Sequence, residues 1–159
     1  MEKGGLKMKI ADYLKKSQIN LDLIACNKEE AIKKMIGLLK NAEEITDHNK
    51  FMDDIFERES LGTTGIGHDI AIPHARSDAV NDFVIVFGRV TCGLEFDALD
   101  KKPVKLIFLM GTPKEKRLSG YLEILSSLNR RLNKESFRNQ LLSASAAEEI
   151  IEIFKKVEH

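Results

Sequence analysis

Two stretches carry the reading of the fold: FVIVFGRV at residues 83–90 and VKLIFLM at residues 104–110. A strand with one face in water alternates apolar and polar side chains, whereas a nearly unbroken apolar run needs cover on both faces. Both stretches are therefore predicted as central strands. Shorter candidates flank them at Ile19–Leu23 and Ile70–Ile72. Between the strands the period changes. Ile32, Met35, Ile36 and Leu39 form one helical stripe behind Asn27-Lys28-Glu29-Glu30, which fits a capping box. Asn49–Glu59 repeats the stripe through Phe51, Met52, Ile55 and Phe56. Leu118, Leu122, Leu125, Leu128 and Leu132 mark a long helix, and MKIADYL from Met8 reads as an amphipathic one. Ile150, Ile153, Phe154 and Val157 follow a second capping box at Ser145-Ala146-Ala147-Glu148. Helices distributed among such strands predict a three-layer α/β domain. Strand order does not follow from pattern.

Composition narrows the class. At 159 residues the chain is the size of one domain, with 43% apolar and 31% charged residues. Lys plus Arg and Asp plus Glu are both 25, which argues against a general nucleic-acid binder. No apolar run approaches a membrane span and no signal peptide is visible, so a cytoplasmic protein without membrane insertion is expected. Cys26 and Cys92 lie far apart and read as reduced thiols, Cys92 as buried or semi-buried behind an apolar strand. The domain is expected over residues 8–159, with Met1–Lys7 a leader of no structural role.

The chemistry concentrates in ERESLGTTGIGHDIAIPHARSDAV, residues 57–80. Gly62 to Gly67 hold three glycines and two threonines. Such a loop can crowd backbone N–H groups around an anion, or be only a glycine-rich turn. It lacks the G-K-[ST] of a nucleotide P-loop and the spacing of a dinucleotide fingerprint. Pro73 cannot continue a central ladder, so His74 should stand at a strand terminus. A neutral imidazole, with a usual pKa of about 6.5, suits nucleophilic attack near neutrality. Arg58, at a helix end, could offer a permanent cation to phosphoryl oxygens. A structural histidine and a solvated arginine are the plain alternatives. Arg76 and Asp78 would rim the site or sit on a solvated loop. His68, Asp69 and His74 fit no standard metal spacing.

The same stretch resembles the type 2 enzyme IIA domains of the sugar phosphotransferase system, the fructose, mannitol and nitrogen-regulatory group. An Arg-Glu pair, a Thr-Thr-Gly-Ile-Gly loop and Ala-Ile-Pro-His carry the likeness, which continues through GLEFDALDKKPVKLIFLMGTP into the carboxyl-terminal helices. It implies a mannitol-type mixed β-sheet flanked by helices and a phosphohistidine carrier with no metal or organic cofactor. His74 would be the phospho-acceptor and Arg58 the group neutralising phosphate charge. Thr64 and the backbone of Gly65, Ile66 and Gly67 would form the pocket wall. The implied partners are an HPr-type phosphocarrier as donor, and an enzyme IIB domain or regulatory target proteins downstream. AIPHARSDAV and FLMGTP lean toward the fructose-like branch. One position departs: family members carry a second histidine where this chain has Tyr121, a candidate neighbour of His74.

Overall fold

In the computed structural model, which describes residues 8–114 and 118–158, the two apolar runs are the central strands β5 (Val84–Leu94) and β6 (Val104–Pro113), paired antiparallel with Phe87 opposite Phe108. Side chains alternate across a pleated strand, and here the alternation divides two apolar cores. Val84, Val86, Ile107 and Leu109 enter one; Ile85, Phe87, Leu106 and Phe108 enter the other. The first core is closed by α2 (Lys28–Gly37) and α3 (His48–Ser60) through Ile32, Met35, Phe51 and Ile55. The second is closed by α1 (Ile10–Tyr13), α4 (Leu118–Leu132), α5 (Glu135–Ser143) and α6 (Ala147–Val157). The three expected layers are present, and the leader Met1–Lys7 lies outside the described residues.

The sheet is mixed. β1 (Ile19–Asn20) runs parallel to β5, and β2 (Gly65–Gly67) antiparallel to β3 (Ile70–Ala71), giving the order β1-β5-β6-β3-β2. β3 and β4 (His74–Ser77) both run parallel along one edge of β6, as a single path broken at Ile72-Pro73. Pro73 has no N–H for the ladder, but its carbonyl still accepts from Met110 N at 2.9 Å. His74 therefore opens a strand, opposite Met110, instead of closing one.

Several local expectations need correction. β1 is shorter than Ile19–Leu23 because Asn20 Oδ1 accepts from Asp22 N and turns the chain. The amphipathic MKIADYL segment holds only one helical turn, anchored where Glu158 accepts from Ile10 N and Ala11 N. The Asn27 cap forms, its side chain accepting from Glu30 N, while Glu30 reaches back to Cys26 N. The second box is displaced by one residue: Ser145 Oγ donates to Glu149, and Glu148 instead pairs with Lys16 at 2.9 Å. α5 was not foreseen, since Phe137 and Leu141 alone make too short a stripe. Its carboxyl end is closed from the sheet, where Arg89 Nη1 donates to the carbonyls of Leu141, Leu142 and Ala144. Cys92 is exposed, not buried: it lies between Arg89 and Leu94, where the pairing of β5 with β6 is irregular.

Candidate functional site

β4 starts where the helical layers part, and this places His74 half-buried in a cleft of about 420 Å³. Its Nδ1 lies 2.7 Å from the Ile72 carbonyl. A carbonyl can only accept, so Nδ1 carries the proton and Nε2 keeps its lone pair. Burial pushes the imidazole below its usual value, and the Arg58 guanidinium adds to that; the Ile72 carbonyl and the Glu59 carboxylate act the other way. At neutral pH the ring is uncharged and nucleophilic.

Arg58 lines the same cleft from the last turn of α3. One guanidinium nitrogen donates to Gly62 O at 2.9 Å, which satisfies a helix-end carbonyl and leaves further donors for an anion. Arg76 and Lys114 add two more cations to the lining. Asp54 and Glu57 stand there as well, but Asp54 already accepts from Ser77 Oγ and from Lys50 at 3.0 Å. Lys114 is 3.9 Å from Asp78, an exposed and weak pair. Leu61, 81% exposed, gives the rim an apolar edge.

Tyr121 also lines the cleft, 7% exposed, with its ring centroid 6.1 Å from that of His74. Its hydroxyl is buried without a hydrogen-bond partner among the described residues. Burial pushes the phenol far above its ordinary range, so it remains an O–H donor at any ordinary pH.

The glycine-rich stretch does not line this cleft. Gly65–Gly67 is edge strand β2, and Gly65 packs so closely that a Cβ there would lie 2.8 Å from Ala98 Cα. A glycine is required there for close backbone approach. Ile66 is 40% exposed on the outer side. Thr64 is buried, and it gives both its N–H, at 2.9 Å, and its hydroxyl, at 2.6 Å, to Glu59. In the sequence Glu59 stood only as half of the Arg-Glu pair and Lys28 only in a capping box, with no site role for either; the structure pairs them at 2.8 Å. A helix-end Glu in a charged run carries no mark of burial; the Arg-Glu pair and its place beside the glycines were the signals available for Glu59.

A mixed sheet between two helical layers, with a half-buried histidine opening β4 in a cation-lined cleft, defines an α/β domain of the enzyme IIA kind. The family model described as "Phosphoenolpyruvate-dependent sugar phosphotransferase system, EIIA 2" matches residues 12–157, and the chain belongs to that family. It is 37% identical over 139 residues to the PTS system fructose-specific EIIA component of Haloferax volcanii, covering 87% of this chain and 90% of that one. It is also 37% identical over 149 residues to the PTS system fructose-specific EIIABC component of Bacillus subtilis. That match spans 94% of this chain but only 23% of the longer relative. Among solved structures, Nitrogen Regulatory Protein IIA-Ntr from Neisseria meningitidis superposes with a TM-score of 0.85 at 36% identity, covering 91% of this chain and 98% of that one. Among the described residues no helix is long and apolar enough to cross a membrane.

Proposed function

We propose that His74 is the phospho-acceptor of a phosphohistidine carrier, charged by an HPr-type protein and discharged to an enzyme IIB domain. The observation that carries this reading is the Nδ1–H bond to Ile72 O, which aims a free Nε2 lone pair into a cation-lined cleft. Nε2 attacks phosphorus as the P–N bond of the donor's phosphohistidine breaks. The donor ring, protonated on its other nitrogen, leaves as neutral imidazole. The positive charge passes to the His74 ring, where the Ile72 carbonyl accepts from Nδ1–H. Arg58, with Arg76 and Lys114 near, offsets the phosphoryl charge, and Tyr121 donates its unpartnered hydroxyl to a phosphoryl oxygen. Thr64 supports the site from behind, its carbonyl accepting from Ile72 N at 2.9 Å.

The fructose-like branch is favoured by the likeness to two fructose-specific relatives, one of which joins A, B and C parts in one chain by its name. A regulatory role, in which the phosphorylation state gates binding to other proteins, is the second reading. Its support is the likeness to a nitrogen-regulatory IIA structure. The test is reconstitution with enzyme I, HPr and labelled phosphoenolpyruvate. The parent should take up one acid-labile, base-stable label, and His74→Ala none; full labelling of His74→Ala overturns the assignment. An added IIB domain should then remove the label. Label that persists against every IIB partner supplied favours the regulatory reading.

A further inference from the structure

Glu59 is only 9% exposed, yet it sits one residue from Arg58 and carries a carboxylate. Burying a charge is costly unless it is paired and hydrogen-bonded, and an apolar side chain would serve a helix end as well. Its partners form a definite set. Lys28, which opens α2 and lies 4.9 Å over the Phe96 ring, pairs with Oε2 at 2.8 Å. Thr64 donates twice, from N to Oε2 and from Oγ1 to Oε1. The start of α2, the end of α3 and the entry to β2 are thereby clamped at one carboxylate. Two peptide groups continue the path: Thr64 O accepts from Ile72 N at 2.9 Å, and Ile72 O accepts from His74 Nδ1 at 2.7 Å. The clamp also brackets Gly62, whose carbonyl holds Arg58.

We propose that Glu59 is a positioning residue for the His74 imidazole, its buried carboxylate paired with Lys28 and acting through Thr64 and the Ile72 peptide. The proposal rests on His74 being the phosphoryl acceptor. By holding Ile72 O in place, the clamp keeps the proton on Nδ1 and the lone pair on Nε2. The charged and titratable groups facing the ring are Asp54, Glu57, Arg58 and Glu59 from α3, Arg76 from β4, Lys114 after β6, and Tyr121 from α4. Of the two acting on its charge, Arg58 opposes protonation and Glu59 favours it.

Glu59→Gln retains shape but loses the charge and one acceptor. Phosphorylation by phospho-HPr should slow by roughly tenfold in kcat, with KM for HPr unchanged within about twofold, as expected where the reacting group and not the partner surface is disturbed. Nitrogen-15 NMR of the histidine ring should show a mixture of tautomers in place of Nδ1–H, and a titration midpoint below the parent's. A residue that only held α3 in place would leave both ring readouts unmoved. Thr64→Val, which removes the hydroxyl and little volume, should reproduce the kcat loss and the mixed tautomers, and it decides the question if Glu59→Gln does not fold. A folded Glu59→Gln with the parent's rate, tautomer and midpoint overturns the proposal. A parent that takes no label from phospho-HPr overturns the assignment of His74 instead; the ring resonances need no phosphoryl donor and still decide on Glu59.

Discussion

Replacing Arg58 by alanine separates charge stabilisation from folding, because the two depend on different N–H groups of one side chain. Among the described residues a single guanidinium nitrogen is engaged, with Gly62 O at 2.9 Å in an exposed setting. A neutral acceptor at the surface contributes roughly 0.5–1 kcal/mol, so thermal or denaturant unfolding should barely move. The donors left over meet the phosphoryl oxygens during transfer. A hydrogen bond to a charged group is worth about 1.5–3 kcal/mol, which converts to a rate loss of roughly 10- to 150-fold. Arg58→Lys should recover only part of it, since an ammonium cannot grip two oxygens in a planar fork. There is a second, independent readout. The guanidinium helps to hold the His74 imidazole below its usual value, so Arg58→Ala should raise the ring's titration midpoint, opposite in sign to Glu59→Gln. The assay is quenched-flow labelling from phospho-HPr, with NMR titration of the same samples. A folded Arg58→Ala that transfers at the parent rate and titrates at the parent midpoint refutes the reasoning and leaves the arginine as a helix cap.

Four further outcomes can be measured. Tyr121→Phe should slow transfer several-fold while leaving stability unchanged or raised by about 1 kcal/mol, because the lost hydroxyl is buried without a partner among the described residues; equal transfer rates would make the phenol core packing. Tyr121→His should give transfer a new pH dependence near neutrality, seen as an added inflection in the rate profile. Gly111→Ala should destabilise by about 1–3 kcal/mol in urea titration, since its Cβ would meet Phe51 Cε1 at 2.6 Å and press α3, which carries Arg58, off the sheet. The pH dependence of stability follows from the buried ring. With the folded value depressed below the unfolded one, the unfolded chain binds the extra proton first, so stability falls as pH drops through the window between the two values. His74→Gln should abolish that share of the slope, and an unchanged slope would place the acid sensitivity elsewhere.

Much of this protein was written along the chain. Unbroken apolar runs required strands covered on both faces, and the stripe through Ile32, Met35 and Ile36 required a helix, because burial demands one period or the other whatever the partner. Pro73 beside His74 marked a break in a ladder for a reason internal to proline. What periodicity reports is which residues are buried, not against what. So the pairing of β4 with β6, the closing of α5 by Arg89 and the exposure of Cys92 on β5 were decided only when the layers assembled. The same holds at the site. Sequence could bring Arg58, the glycines and His74 into one stretch, but it left open whether the glycines faced an anion or only made a turn. The tertiary structure gave Gly65 to the close contact with Ala98 and placed Tyr121, from a helix far along the chain, beside the imidazole. It also joined Lys28, Glu59 and Thr64 around one buried charge. A polar residue carries no local sign of burial, because whether its charge can be tolerated inside depends on partners that only the folded chain brings to it.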